Sequence, residues 1–319
     1  MALPFVDVDA TETDSYLEDP SSASASLTSS IFCYEWKHGR RYHSYHAGQY
    51  SFPNDAMEQK RLDMLHHVFY RLLDDQLIRA PIDPNGLNIL DIGTGTGIWA
   101  IEAGDRYPGA TFTGIDLSPI QPRWIPSNVK FIIDDVEADW TEPIPYDYIH
   151  CRYMAGSIKD WPRLLRQIYD NLKPGGWVEL QESVNTLYSE DDSLESDNPL
   201  VQMMDHLKDA CAQIGRTMDP APHFRTWAGG AGFIHIKEER FKLPVGAWPK
   251  DPQLQEIGTL MGINMHEGVS AFTAVLFTDV LKWPSEEVEL FNMEVRKASR
   301  RRETHAMFDF LVTMAQKPE

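Results

Sequence analysis

The amino-acid sequence predicts an α/β fold in which apolar strands and helices alternate along the chain. Three observations predict it. A short apolar run at 87–92 enters a glycine-rich turn and then a helix. Two further apolar runs, at 110–115 and 129–133, each lead into acidic residues, and a helix closed by a proline–glycine segment at 172–176 leads into another apolar run. Such repeats are typical of βαβ units.

Composition limits the possible functions. The chain of 319 residues is 42% hydrophobic and 24% charged, as in globular proteins. A net charge of −19 argues against a nucleic-acid substrate, because phosphate binding needs an electropositive face. The sequence contains neither a long apolar run nor a secretory leader, which predicts no membrane segment. Cys33, Cys151 and Cys211 lie far apart, which predicts a reduced, cytoplasmic protein, with a nuclear location as the alternative.

The chain begins with an acidic, serine-rich segment, residues 1–30, that predicts a disordered tail. Residues 31–83 are expected to form an arm and a helix. The aromatic and histidine residues between 34 and 53, Tyr50 included, predict either an arm packed on the core or a cover for a cofactor. The helix is predicted to begin at Asp55, which has capping-box spacing with Glu58.

The glycine-rich turn predicts a ligand site. Asp91 precedes glycines at 93, 95 and 97, which can adopt backbone conformations closed to other residues and let a ligand approach the helix N-terminus. A nucleotide-type cofactor fits such a turn. The third glycine comes one residue too early for the dinucleotide fingerprint, and no lysine follows as in a P-loop. A tight turn without a ligand is the alternative interpretation.

The strands beyond the turn supply further candidates. Asp116, 23 positions after Gly93, is predicted to lie at the end of the second strand, where it can accept the ribose hydroxyls of a cofactor. A fourth strand, 146–150, ends in His150, Cys151 and Arg152, which by the same rule face the ligand crevice. A helix with Asp160 as N-cap then leads to the fifth strand, 177–182.

Several stretches resemble one family closely. The fungal LaeA-like methyltransferases of secondary metabolism are similar from residue 34 to the end, most clearly at 50–55, 61–63, 90–100, 116–122, 155–161, 172–182 and 313–318. The resemblance implies a Rossmann-like, seven-stranded methyltransferase domain over 84–319 that uses S-adenosylmethionine. It also implies either a pathway enzyme or a nuclear regulator that works with velvet-type proteins.

The resemblance assigns a cofactor site. The acid after the third strand, Asp135 with Asp134 as the neighbouring alternative, would hold the adenine amino group, and the backbone of Val136 would meet a ring nitrogen. The cofactor-binding residues expected are Tyr50, Asp91, Gly93, Thr94, Gly95, Gly97, Asp116, Leu117, Asp135, Val136 and Arg152. A protein that binds S-adenosylmethionine without transferring methyl would carry the same residues.

The C-terminal part is expected to contain a turn at 229–232, a sixth strand at 234–245, a helical insertion at 253–302 and a last strand at 307–315. The insertion is the predicted wall of an acceptor pocket, because its apolar residues exceed what one helix face needs for packing. Its basic cluster at 296–302 predicts a solvated helix end, with a nuclear import signal as the alternative.

Methyl transfer needs orientation and a dry pocket, and needs a base only when the acceptor is a neutral hydroxyl or amine. His150, Arg152, His223 and His266 are the acceptor-site candidates, and an anionic acceptor would favour Arg152. No metal is predicted, since no set of ligands has metal spacing. The sequence therefore predicts a methyltransferase acting on a small-molecule intermediate of a secondary-metabolite pathway. A LaeA-like regulator is the alternative; no velvet-type partner is indicated by the residues themselves.

Overall fold

The computed structural model describes residues 34–43, 51–140 and 145–319 and confirms the α/β class. The predicted tail and Tyr50 lie outside these residues. The strands are β1 Tyr34–Lys37, β2 Arg40–His43, β3 Asn88–Ile92, β4 Thr111–Asp116, β5 Val129–Ile133, β6 Tyr146–Arg152, β7 Leu172–Tyr188, β8 Ile234–Pro244 and β9 Met307–Gln316. The α-helices are α1 Ala56–Leu72, α2 Ile98–Arg106, α3 Trp161–Asn171, α4 Pro199–Gln213, α5 Phe224–Ala231, α6 Pro252–Val275 and α7 Ser285–Ala298.

Seven strands form one sheet in the order β5-β4-β3-β6-β7-β9-β8. The first five of these are parallel, and β9 lies antiparallel between β7 and β8. The chain moves outward in one direction from β3 to β5 and in the other from β6 to β7. The carboxyl ends of β3 and β6 therefore meet at the topological switch point, where ligands bind in open α/β sheets.

Each face of the sheet is covered by its own apolar core. One core contains α1, α2, α4, α6 and α7, with Trp99 and Phe69 among its buried side chains. The other contains α3 and α5, where Trp161 packs on Phe224 with ring centroids 4.9 Å apart. Coverage on both faces explains why the central strands read as nearly continuous apolar runs.

The N-terminal arm is a β-hairpin rather than an irregular segment, since β1 pairs antiparallel with β2. Arg40 of this hairpin binds the carboxylate of Asp55 through two nitrogens, at 2.5 and 3.0 Å. Asp55 caps α1 as predicted, accepting from the backbone N–H groups of Met57 and Glu58. The Glu58 carboxylate does not complete a capping box but binds Arg61 at 2.5 and 2.9 Å.

Three further details differ from the sequence-based prediction. β7 begins at Leu172, because this residue already pairs with Tyr146 of β6. Three of the four residues predicted as a turn, Gly229, Gly230 and Ala231, belong to α5, and only Gly232 adopts a positive φ, of 103°. The helical insertion consists of α6, a π-helical turn at Leu276–Val280, and α7. Within the described residues, no helix combines the length and apolar character required to cross a bilayer.

One buried carboxylate joins the linker before β3 to the sheet. Glu179 on β7 is fully buried and accepts from the backbone N–H groups of Arg79 and Ala80 at 2.9 and 2.8 Å. It also accepts from the Tyr148 hydroxyl at 2.9 Å and from the Gln181 amide at 2.6 Å. A single side chain thus satisfies four donors inside the protein.

We expect Glu179→Ala to destabilise the fold by more than about 3 kcal/mol, because several buried donors each lose an acceptor at about 1–3 kcal/mol. Urea unfolding measures the change. Glu190→Ala is the control: Glu190 forms an exposed ion pair with Lys242, and its loss should cost no more than about 0.5 kcal/mol. Equal losses in the two variants would show that the Glu179 network contributes nothing beyond a surface pair.

Candidate functional site

A cleft opens at the carboxyl ends of β3, β4, β5 and β6, at the switch point. Of the residues predicted to bind the cofactor, nine line it: Asp91, Gly93, Thr94, Gly95, Asp116, Leu117, Asp135, Val136 and Arg152. Gly97 does not line the cleft. It is the N-cap of α2 with φ of 82°, and a Cβ there would stand 2.3 Å from Cζ of Phe131.

The glycine turn is held from behind by side-chain hydrogen bonds. The Gly95 N–H donates to Asp116 at 2.8 Å, and its carbonyl accepts from the Gln121 amide at 2.7 Å. Gly93 has φ of 67°, and a Cβ there would lie 2.2 Å from the Met154 sulfur. Gly93 is thus covered by Met154, whereas the nearest atom to a Cβ added at Gly95 is a Leu62 methyl carbon at 3.9 Å, so a ligand can lie directly against the turn there.

Asp116 at the end of β4 shapes this turn and the next. One carboxylate oxygen accepts from Gly95, and the other accepts from the Ser118 N–H at 2.8 Å. Burial raises the pKa of Asp116 to about 6, although both N–H groups oppose the rise. Since this folded pKa lies above the unfolded value, the stabilisation that the group contributes is complete at low pH and is lost as pH rises through about 6.

Asp91 and His150 form one unit rather than two independent sites. They are register partners on β3 and β6, and the His150 Nδ1 lies 2.7 Å from one Asp91 oxygen. The other Asp91 oxygen accepts from the Thr94 hydroxyl at 2.6 Å. The His150 ring stacks on Trp99 at a centroid distance of 3.9 Å. Its Nε2 is buried without a hydrogen-bond partner among the described residues.

Arg152 ends β6 and also faces the cleft. One terminal nitrogen donates to Nδ1 of His66 at 2.7 Å, and the guanidinium lies 5.5 Å from the centre of the Phe69 ring. No carboxylate in the described part of the chain lies within 4.0 Å of the guanidinium nitrogens. Burial lowers the pKa of Arg152 to about 10, so the side chain stays cationic at neutral pH.

The turn after β5 contributes two acids and a buried valine to the cleft. Asp134 is exposed and accepts from the Asp135 N–H at 2.8 Å. Asp135 is buried and accepts from the Glu137 N–H at 2.9 Å. The two acids thus fix the turn and present the backbone around Val136 to the cleft.

The opposite wall is formed by α1 and α6. Phe272 of α6 lines it and meets the Phe52 ring edge-on at 6.3 Å. The Arg61 guanidinium lies 4.9 Å from the centre of the Phe272 ring and donates to the Asn264 side chain at 2.7 Å. Met265, one residue beyond Asn264, is buried in the core and does not line the cleft.

Two predicted acceptor-site histidines do not line the cleft. The Nε2 of His266 lies 2.9 Å from an Arg300 nitrogen. His223 is exposed and lies against Trp227 at 5.1 Å. Of the four candidates, the cleft brings together His150 and Arg152.

The sequence-based prediction missed the polar residues that α1 supplies. Glu58, Arg61 and His66 line the cleft together with the apolar residues Leu62, Leu65 and Phe69. The pattern that could have found them is visible in the sequence: they interrupt the apolar stripe of an amphipathic helix at helical spacing. Charged and polar residues in that stripe face the protein interior and need partners there. Within the described residues, no three histidine, cysteine or acidic side chains form a metal-binding group.

Comparison with known proteins agrees with the architecture. A methyltransferase-domain family model matches residues 64–236. Methyltransferase pytC of Aspergillus terreus is 59% identical over 98% of this chain and 95% of its own length. Secondary metabolism regulator LAE1 of Cochliobolus heterostrophus is 35% identical over 89% of this chain and 94% of its own. Protein-methionine methyltransferase laeA of Emericella nidulans is 34% identical over 88% and 76%.

Among solved structures, phosphoethanolamine N-methyltransferase 2 of Haemonchus contortus in complex with S-adenosyl-L-methionine superposes with a TM-score of 0.51. It is 18% identical and covers 93% of this chain and 74% of that one, so the likeness shows the shared fold. The chain belongs to the methyltransferase family. The resemblance to its fungal LaeA-like members is confirmed, and S-adenosylmethionine is the cofactor of this enzyme.

Proposed function

We propose that the enzyme transfers a methyl group to a small-molecule intermediate of a fungal secondary-metabolite pathway. The carrying observation is the cleft itself, where the bare glycine turn and the Asp116 carboxylate face an aromatic wall built from Phe52 and Phe272. An apolar, inward-facing wall suits a small organic acceptor. The similarity to methyltransferase pytC along almost the whole chain, together with the similarity to proteins named for secondary metabolism, supports the same function.

We assign the cofactor by the chemistry of the donors and acceptors present. Asp116 would hold the ribose hydroxyls, Asp135 the adenine amino group, and the Val136 backbone a ring nitrogen. The fit is supported by the turn at Gly95, where φ is 58° and the nearest atom to an added Cβ lies 3.9 Å away, which leaves room for a ligand. Asp91 is buried and binds Thr94 and His150, so its contribution is to fix the turn; Asp116 is only partly buried, and each of its oxygens can accept a second hydrogen bond from a ligand.

The cofactor, when bound, supplies a methyl group already activated by a sulfonium charge. The protein contributes orientation, which is worth about 7–11 kcal/mol in well-aligned reactions, and exclusion of water. For a hydroxyl or amine acceptor, His150 is the candidate proton acceptor. Asp91 holds its Nδ1, and its unpartnered Nε2 belongs to a side chain that lines the cleft.

Asp116→Ala tests the ribose assignment. A hydrogen bond to a charged group is worth about 1.5–3 kcal/mol, so we expect S-adenosylhomocysteine to bind roughly 10- to 150-fold more weakly in calorimetry. The ligand-free melting temperature should change little, because the variant loses two backbone hydrogen bonds but also a carboxylate that is costly to ionise at neutral pH. Asp105→Ala, on the exposed side of α2, is the control. Unchanged affinity would remove Asp116 from the ribose site.

Phe272 and Met265 lie on the same helix and separate the pocket from the core. Phe272→Ala should lower turnover of the acceptor while affinity for S-adenosylhomocysteine holds, because the ring lines the cleft. Met265→Ala should cost about 2–5 kcal/mol of stability, as deletions of buried side chains do. The two effects are read from product formation and urea unfolding. A stable Met265→Ala variant that loses turnover would reverse the assignment of the two residues.

A deletion strain tests the pathway role. We expect one precursor, lighter than the lost product by one methyl exchange (about 14 mass units), to accumulate, because the class of reaction adds a methyl for a proton. Mass spectrometry of culture extracts measures this. Loss of many unrelated metabolites at once would instead support the second candidate, a regulator acting with velvet-type partners. The similarity to proteins named as regulators of secondary metabolism supports this second candidate.

We place the enzyme in the cytoplasm, with the nucleus as the location that the regulator candidate requires. Two cysteines in the described part of the chain, Cys151 and Cys211, are buried free thiols, which suits a reducing compartment. The basic residues near the end of α7 are exposed and solvated in part, as expected for a helix end that complements the helix dipole.

A further inference from the structure

We propose that Arg152, His66 and Glu102 form a carboxylate-binding relay, in which His66 positions the Arg152 guanidinium to receive a carboxylate of a ligand in the cleft. The ligand carboxylate has two possible sources, the amino-acid end of the cofactor and an acidic acceptor. The inference extends the proposed function by adding a positioning residue and a chemical group that the cleft recognises.

Three elements contribute one residue each. His66 lies on α1, Glu102 on α2 and Arg152 at the end of β6. Arg152 donates to His66 Nδ1 at 2.7 Å, and His66 Nε2 lies 3.0 Å from a Glu102 oxygen. Because Nδ1 accepts from a guanidinium, Nε2 must carry the ring proton and donate it to Glu102. This chain of bonds fixes His66 as a neutral imidazole with one defined tautomer.

On the side of the cleft, the positive charge of Arg152 has no directly bonded negative charge among the described residues. Glu102 is exposed, with 45% of its side chain accessible, whereas His66 is buried at 3%. The guanidinium carries five N–H donors, and its described partner is a neutral ring. Asp91, Glu102 and Glu179 favour the cation from a distance, but none of them forms an ion pair with it, and a buried cation without a directly bonded anion is costly to maintain. Both His66 and Arg152 line the cleft, so a ligand there can supply the missing anion.

The geometry of a carboxylate matches the donors of the Arg152 guanidinium. Two N–H groups of a guanidinium align with the two oxygens of a carboxylate. The resulting pair of parallel hydrogen bonds fixes the carboxylate in the plane of the guanidinium. Phe69 lies against the guanidinium at 5.5 Å and restricts its plane. With His66 holding one terminal nitrogen, the remaining edge has one orientation available.

The relay also predicts a pH dependence. Burial lowers the pKa of His66, and Arg152 and His150 of β6 lower it further, whereas Glu102 of α2 opposes the change; Tyr70 of α1 stacks on the ring. His66 is therefore neutral at neutral pH. When pH falls through the lowered pKa, the ring gains a proton at Nδ1, faces the Arg152 cation as a like charge, and releases it. Carboxylate binding should weaken on the acid side.

The experiment compares two ligands that differ in the amino-acid end, which carries an ammonium as well as the carboxylate. S-adenosylhomocysteine carries the amino-acid end, and 5′-methylthioadenosine lacks it. The measured quantity is the affinity for S-adenosylhomocysteine divided by the affinity for 5′-methylthioadenosine. Both ligands carry the ribose, so effects of Asp116 cancel in this ratio. We expect Arg152→Met to lower that ratio about 10- to 150-fold. His66→Phe should lower it about tenfold. His66→Asn, whose side-chain oxygen can replace Nδ1 as acceptor, should restore it to within about threefold.

The pH profile separates positioning from packing. In the wild-type protein the affinity ratio should hold at about pH 6.5, the ordinary pKa of histidine, and fall only at more acidic pH, where the lowered pKa of His66 is reached. In His66→Asn the ratio should be flat, because no titrating group remains at that position. A ratio that falls equally in both proteins would overturn the role of His66, as would equal behaviour of His66→Phe and His66→Asn at neutral pH.

A second arm identifies an acceptor as the carboxylate source. Benzoate and its neutral isostere benzamide are titrated into protein saturated with S-adenosylhomocysteine. If Arg152→Met leaves the ratio of the two nucleoside ligands unchanged but abolishes binding of benzoate and not of benzamide, the site receives the acceptor. If neither measurement changes in a folded variant, the proposal is overturned. Should Arg152→Met not fold, Arg152→Gln replaces it, since its amide is polar but carries no charge, and the same outcomes apply.

Failure of the proposed function is distinguishable from failure of this inference. Loss of binding of both S-adenosylhomocysteine and 5′-methylthioadenosine to the wild-type protein would contradict the cofactor site as a whole. Absence of turnover with small acceptors would contradict the proposed function and leave the binding ratios intact. A change in the ratio alone reports on Arg152 and His66.

Discussion

The contact between Asp91 and His150 fixes the point on which the site depends. These residues face each other across β3 and β6, the two strands from which the chain runs outward in opposite directions. Their 2.7 Å bond joins the two halves of the sheet, and the Trp99 ring, stacked at 3.9 Å, adds α2 to the same unit. Thr94 binds the remaining Asp91 oxygen. Strand, turn and helix are thereby held in one arrangement before any ligand binds.

Around this point the carboxyl edge of the sheet contains ionisable groups that are expensive for the fold. Burial raises the pKa of Asp116 to about 6 and that of Glu182 to about 7. Glu182 accepts from the Ala155 N–H at 2.8 Å, and so holds the loop that follows β6. Both groups contribute stabilisation that is lost as pH rises toward neutrality. Such costs concentrate at functional sites, because a ligand can offset them when it binds.

Much of the fold could be predicted from local pattern. The apolar runs gave β3 to β6 within about two residues, and Asp55 and Asp160 were recognised as N-caps because the backbone N–H groups of a helix start need acceptors. The hairpin of β1 and β2 was not predicted, since its contacts with Asp55 are long-range. The weak helix propensity of Gly229 and Gly230 predicts a turn, but tertiary packing overrides this propensity, and both residues belong to α5.

The position of a residue in the cleft could be predicted where a local backbone motif contains it. It could not be predicted where the residue reaches the cleft through contacts with residues distant in sequence. Asp116 follows from strand spacing alone, and it lies where the spacing places it. His66 has no neighbour in sequence that indicates a role; its partners are 36 and 86 positions away. Similarly, nothing in the heptad around Met265 and Phe272 separates core from cleft, because both are apolar and lie on one helix.

The wall of the cleft formed by α1 and α6 is where we propose that the acceptor binds. Arg61 is held by Glu58 within α1 and by Asn264 of α6, so a buried ion pair and one hydrogen bond connect the two helices behind the cleft. The same guanidinium lies over the Phe272 ring. Breaking a buried pair costs far more than exchanging an apolar side chain beside it. The connection therefore keeps α1 and α6 in place when the side chain at position 272 changes, and under the proposed function acceptor choice can vary without loss of the cofactor site.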